Sequence, residues 1–265
     1  MRVLLTALLA VAAVAATAVG AAGQAGTGTV TVVHGVPGLP VDVYVNDQRT
    51  LTNFQPGTIT DPLQLPAGTY RIAVRPAGAD PASPPAISGS AVLNAGDNVS
   101  IVAHLTEGGD PTLTVFANNV SALPAGQARV TVRHTAAAAA VDVLVNGQPA
   151  IRGLTNPNEA TATLAAGTYQ VAVAPAGTTS PVIGPLSLTF QDGTAYFVYA
   201  IGGADKGGFT ALVQTVRVAG PRPGVPAGTG GLLDGGGFPD WGVWLMLAAA
   251  GGVLVSGATL ARRRG

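Results

Sequence analysis

The sequence holds no cysteine in 265 residues, so disulfides, thiolate metal sites and cysteine nucleophiles are all excluded. Charge is nearly as scarce. The 13 basic and 13 acidic residues cancel and make up 10% of the chain, leaving no field to recruit nucleic acid or another polyanion. Lysine occurs only as Lys206, too few for a Lys–Asn crosslink in each of two domains. Glutamate is confined to Glu107 and Glu159, which share no motif, so a paired-carboxylate site has no support. A Gly-x-Ser-x-Gly elbow, a DxDxDG calcium loop and a Gly-rich turn feeding a helix are also missing. NAGDN at 94–98 reads as a hairpin turn. No cofactor is expected.

What is present favours β-structure. Apolar residues make up 48% of the chain, too many for disorder, and 37 Gly with 20 Pro suit short strands and tight turns. The two ends read as addresses. Residues 1–24 combine a charged start, a short apolar run and small residues, the pattern of a cleaved secretory signal helix. Residues 241–261 form an uncharged stretch long enough to cross a bilayer as one helix, with Trp241 and Trp244 at the interface. Arg262, Arg263 and Arg264 follow and place the tail at 262–265 in the cytoplasm and the rest outside. Membrane lipid is therefore an expected partner. A Gly- and Pro-rich linker at 219–240 precedes the span. The span-plus-Arg layout resembles the sorting tail of sortase substrates, but VPAGTGG at 225–231 departs from Leu-Pro-x-Thr-Gly. A retained membrane anchor is expected, with wall attachment as the alternative.

Between the ends the chain repeats itself. VDVYVN at 41–46 returns as VDVLVN at 141–146, His34 as His134, and AGTY at 67–70 as AGTY at 166–169. Tyr70, Ile72 and Val74 alternate with Arg71, Ala73 and Arg75, which is the period of a strand with one buried face. Strand signals recur about every ten residues with turn residues between them. The expectation is two tandem immunoglobulin-like or prealbumin-like antiparallel β-sandwiches of about seven strands, at 27–120 and 127–218, each folding independently of its twin. The poly-Ala run at 136–140 stands opposite GVPGLP of the first copy and is assigned to a loop. Gly68 and Gly167 are expected to supply the positive φ of a tight turn. Tyr70 and Tyr169 are expected to pack inward, with their hydroxyls reaching back to loop backbone.

VVHGVPGLPVDVYVN and the downstream LPAGTYRIAVRPAG resemble the bacterial domain of unknown function 4397, an exported β-rich module. The resemblance covers about 28–218. It marks His34, Pro37, Asp42, Asn46, Gly68 and Tyr70 in the first copy. In the second it marks His134, Asp142, Asn146, Gly147, Gly167 and Tyr169. The family's Ser before Pro is Val36 here, and the second copy replaces the His-to-Asp loop with alanines. The resemblance implies no activity.

Strand parity turns His34 inward with Val30 and Val32, where a ring needs a hydrogen-bond partner, and Asp42 on the next strand is the candidate. The same holds for His134 and Asp142. Two ligands are too few for structural zinc, and His104 has Ala200 opposite it in the other copy. Arg49, Arg71 and Arg75 read as solvated surface rather than an anion site, since Arg71 and Arg75 become Gln170 and Ala174 in the twin. The leading expectation is a non-catalytic envelope protein acting as a binding, adhesion or spacer module. One alternative is a hydrolase or enzyme accessory using His34 with Asp42. Another is a saccharide or peptide binder using exposed aromatics such as Tyr44 or Phe54.

Overall fold

The computed structural model describes residues 26–38, 40–218 and 220. The expected signal segment, the span with Trp241 and Trp244, the tail with Arg262, Arg263 and Arg264, and nearly all of the linker lie outside the described residues. Every element within them is a strand, and no helix there is long and apolar enough to cross a membrane.

The first repeat contains eight strands, β1 (Thr27–His34), β2 (Val41–Val45), β3 (Gln48–Phe54), β4 (Leu63–Pro66), β5 (Gly68–Pro76), β6 (Ile87–Leu93), β7 (Asn98–Leu105) and β8 (Pro111–Ala117). The second copies it with β9 (Gln127–His134), β10 (Val141–Val145), β11 (Gln148–Leu154), β12 (Glu159–Ala165), β13 (Gly167–Pro175), β14 (Ile183–Phe190), β15 (Thr194–Gly203) and β16 (Gly208–Arg217). Each repeat is two four-stranded sheets, ordered β4-β1-β7-β8 and β3-β2-β5-β6, then β12-β9-β15-β16 and β11-β10-β13-β14. The alternating apolar residues meet between the sheets: Val30, Val43, Ile72, Val74 and Ile101 in one repeat, Val130, Val143, Val173 and Val198 in the other.

Three expectations need correction. The sheets are mixed rather than antiparallel, because β1 pairs parallel with β7 and β9 with β15. An immunoglobulin order, which keeps the first two strands in one sheet, is not followed, since β1 and β2 lie in different sheets. The turn at 94–98 is no hairpin but an arch between sheets, closed by the Asp97 carboxylate accepting from the Asn94 amide at 2.8 Å.

The repeats are also not independent. On β7, Val99, Ile101 and Ala103 face their own sandwich, while Ser100, Val102 and His104 are buried on the other side. On β15, Tyr196, Val198 and Ala200 face inward, and Ala195, Phe197, Tyr199 and Ile201 are buried outward. These outward faces meet in a third core joining Val33, Val102 and Phe116 to Phe197, Tyr199 and Ile201. A strand buried on both faces loses its alternation, and both repeats fall within one compact unit.

Candidate functional site

The shared motif residues fasten backbone. Asp42 and Asp142 point away from the sandwich core yet are buried, because edge strands β3 and β11 bulge over them. Asp42 accepts from the Asn53 amide at 2.8 Å, the Gly78 amide at 3.2 Å and the Arg49 guanidinium at 3.4 Å. Asp142 accepts from the Gly153 amide at 2.7 Å and the Gly177 amide at 2.9 Å. Asn53 and Gly153 both take positive φ at the bulge. These amide donors, that of Asn53 first for Asp42 and that of Gly153 first for Asp142, hold both carboxyls below the usual aspartate range. A carboxylate stabilised in this way is a poor general base.

Asn46 and Asn146 open the β2–β3 and β10–β11 turns. Each pairs with a following residue that also has positive φ, Asp47 or Gly147, as a two-residue hairpin turn of mirror-image type requires. Their side-chain oxygens accept from the amides of Arg71 at 2.9 Å and Gln170 at 3.0 Å. The tyrosines stand as expected: Tyr70 donates to the Pro66 carbonyl at 2.5 Å and Tyr169 to the Ala165 carbonyl at 3.0 Å, with both rings against the core. The glycines do not. Neither Gly68 nor Gly167 has positive φ; each is the first residue of an extended strand.

The expected His–Asp pairs are not formed. His134 donates from Nε2 to the Ala139 carbonyl at 2.9 Å and accepts at Nδ1 from the Ala136 amide at 3.4 Å, so it braces the poly-Ala loop. His34, on β1, is buried inside the first sandwich with its ring 5.7 Å from Phe54, whereas Asp42 belongs to β2 of the facing sheet and makes its bonds away from the core. Pro37 lies in the following loop and, with His34, lines a shallow second cavity. His104 donates from Nδ1 to the Leu105 carbonyl and accepts from the Thr114 hydroxyl, each at 2.8 Å. Burial is the main cause that pushes its protonation below the usual histidine range, and His134 nearby adds to it. No group of three or more metal-ligating side chains occurs among the described residues.

The arginines do not converge either. Arg49 meets Asp42, Arg71 pairs with exposed Asp47 at 2.7 Å, and Arg75 lies 4.8 Å from the centre of the Tyr44 ring. Tyr44 is buried and Phe54 half-buried, so neither is the exposed stacking platform expected of them.

Two features escaped the sequence reading. The first is a polar cluster at the centre of the inter-repeat core. Arg133 is fully buried, its guanidinium 4.5 Å from the Phe116 ring centre and 4.8 Å from that of Phe197. It donates to Glu159 at 2.7 Å, the Tyr199 hydroxyl at 2.9 Å and the Ala117 carbonyl at 3.2 Å. The Tyr199 hydroxyl lies 2.8 Å from the Ser100 hydroxyl and 2.6 Å from the Gln214 side-chain oxygen, and Gln214 donates to Thr31 at 3.1 Å. The network therefore crosses between repeats several times. The second is a cavity of about 250 Å3 between the sheets of the first sandwich, with Val30, Phe54, Leu65, Ile72, Ala91 and Ile101 in its wall.

The family model described as "Domain of unknown function (DUF4397)" matches residues 28–144 and 137–225. The chain belongs to this family. The first match runs from β1 into β10 and the second begins after β9, so together they cover both DUF4397 sandwiches with boundaries offset from the repeats. No curated protein matches the sequence. A leucine-rich repeat protein from Bacteroides thetaiotaomicron is 18% identical over an alignment covering 66% of this chain, at a TM-score of 0.18. This chain spans only 26% of that protein's length. A candidate cell adhesion protein from Bacteroides uniformis is 9% identical, with 73% of this chain and 98% of that one covered at a TM-score of 0.20. Likeness that weak carries no structural argument, and the fold rests on the strand order itself.

Proposed function

We propose that this tandem DUF4397 protein is a non-catalytic module of the bacterial envelope, exported by residues 1–24, held in the membrane by 241–261 and displaying its sandwiches outside as a binding or spacing unit. One observation carries the reading: Asp42, Asn46 and Tyr70, like Asp142, Asn146 and Tyr169, are engaged in bonds that fasten backbone. Aspartates spent on holding turns are not paired with the shared His34 and His134, so the dyad of the alternative hydrolase has no support. The buried inter-repeat core further suits a stiff spacer, because it holds the two sandwiches in one arrangement. The pattern of Trp241, Trp244 and the three terminal arginines supports the anchor.

Protease treatment of intact cells expressing the full chain tests this. Both sandwiches are expected to be cut from outside, to fractionate with membrane, and to appear in the medium when the chain is truncated at residue 240. Modules protected until lysis would overturn the display reading, and recovery in a wall fraction resistant to detergent would favour wall attachment over a retained span.

A further inference from the structure

We infer that the core of the first sandwich is a binding site for a single aliphatic chain, entered past edge strand β3. The inference goes beyond the display role and is independent of the anchor. An apolar cavity of roughly 150 Å3 is known to stay dry and to accept benzene. The cavity of about 250 Å3 here has room for a larger apolar guest. Its shape suits an elongated guest. The wall follows β1 from Val30 to His34, a run of roughly 13 Å at a strand's rise, between sheets only about 10 Å apart.

The exposed residues of the wall, Asn46, Gln48 and Thr50, all sit on the β2–β3 turn or on β3, which places the mouth there. At that side β3 edges one sheet and β4 the other. Strand β4 has 4 residues where its counterpart β12 has 7, so the first copy has the shorter edge at this side. No Asp, Glu, Lys or Arg lines the cavity. Apart from His34 and Tyr70 the interior wall is apolar, so the guest is apolar inside, and any polar end stays among the neutral amides and hydroxyl of the mouth.

The second sandwich shows how the same fold fills this space. Register sets Ala91, Leu93 and Val99 in the places of Leu188, Phe190 and Tyr196. The larger residues bring the Tyr169, Phe190 and Tyr196 rings together, with centroids 5.8 and 4.9 Å apart. Tyr196 gains part of its room because Ala162 stands where the first copy has Leu63, so Val99 is a poor position to enlarge alone. Ala91 and Leu93 are the better ones.

The test uses residues 26–218, within one compact unit, and the neutral dye N-phenyl-1-naphthylamine. The expected result is saturable fluorescence enhancement at one dye per chain, displacement by decanol, and a melting temperature raised by decanol. Ala91→Leu and Leu93→Phe are each expected to weaken the dye about tenfold or more without lowering the melting temperature, by filling the space the guest needs. Leu188→Ala in the twin is expected to leave first-site affinity within about twofold, as befits distant sites. Decanol and lysophosphatidylcholine displacing the dye alike identifies a lipid-borne chain; decanol alone identifies a free one. Dye uptake that does not saturate, displacement by neither, affinity unchanged from the parent in both filling variants, or no melting shift with decanol overturns the site. None of these outcomes depends on where the protein resides, so failure here leaves the display role standing, and the reverse.

Discussion

The two sandwiches share strand order, mixed pairing and every backbone-fastening motif residue, yet they differ in what fills them. The second packs the Tyr169, Phe190 and Tyr196 rings together where the first has Tyr70, Leu93 and Val99 around a cavity. Side chains that fasten turns have kept their identity between the copies, because each holds a backbone group from another segment, and each aspartate holds two amides at once. Core side chains have drifted, because a sandwich tolerates any set that suits its volume. The surfaces that meet between the repeats have diverged furthest. Val33 and Ser100 face an arginine-centred cluster for which the first copy has no counterpart, since Arg133 aligns with Val33 itself.

That asymmetry breaks most readily at Arg133. Replacing it with Ala removes a fully buried guanidinium, leaves the Tyr199 hydroxyl and Ala117 carbonyl without its bonds, and opens a hole between Phe116 and Phe197. Urea unfolding followed by circular dichroism is expected to show a loss of about 3–5 kcal/mol. Arg71→Ala, at an exposed pair, is expected to cost less than about 1 kcal/mol. Similar losses at both positions would mean that the inter-repeat core contributes little.

The shared design is probed at the aspartates. Asp42→Asn keeps the shape but weakens the charge-assisted bonds to the Asn53 and Gly78 amides, for an expected loss of roughly 1–2 kcal/mol. Asp142→Asn is expected to act in the same direction. Loss of an enzymatic activity with unchanged stability would restore a chemical role to the motif. Since both carboxyls titrate below their ordinary value, the stability they add is present above about pH 4 and is lost as pH falls through their lowered folded values.

Much of this was legible in the letters. The alternation in Tyr70, Ile72 and Val74 gave the strand and its buried face, and Tyr70 and Tyr169 sit as their phrase implied. Edge strands β3 and β11 escaped because their bulges break the period and most of their side chains are exposed. The His–Asp pairing failed for a related reason. Proximity along the chain says nothing of which side of a sheet each residue faces, and Asp42 is buried by a neighbouring bulge rather than by the core. The inter-repeat face did leave a signal: NVSIVAHL and TAYFVYAIGG are buried at nearly every position, and a run with no polar face is what double-sided burial writes into a strand. The cavity left none, because the filling of a core depends on which residues meet across it.

A smaller test sharpens the equivalence of the copies. Tyr70→Phe and Tyr169→Phe each remove one hydroxyl that donates to a turn carbonyl, Pro66 or Ala165. Each is expected to cost roughly 0.5–1.5 kcal/mol, and the two to add, as independent sites do. A much larger cost for Tyr169 than for Tyr70 would show that the aromatic trio of the second core depends on this anchor.

The smallest expected effect is one of pH, and it is confined to the face between the repeats. His104 is buried there as the neutral ring, donating to Leu105 and accepting from Thr114, and burial holds its pKa below that of the unfolded chain. The unfolded state therefore takes up a proton first as pH falls. Stability from this residue is complete above the unfolded histidine value near 6.5 and declines below it. One proton sets the limit at about 1.4 kcal/mol per pH unit, and the decline ends once the folded state also protonates. Urea midpoints measured from pH 7 to pH 5 are expected to fall, and His104→Gln is expected to flatten that slope, whatever it does to the midpoint at pH 7. An unchanged slope in the variant would remove His104 as the source of the acid sensitivity, and with it any pH response particular to this face.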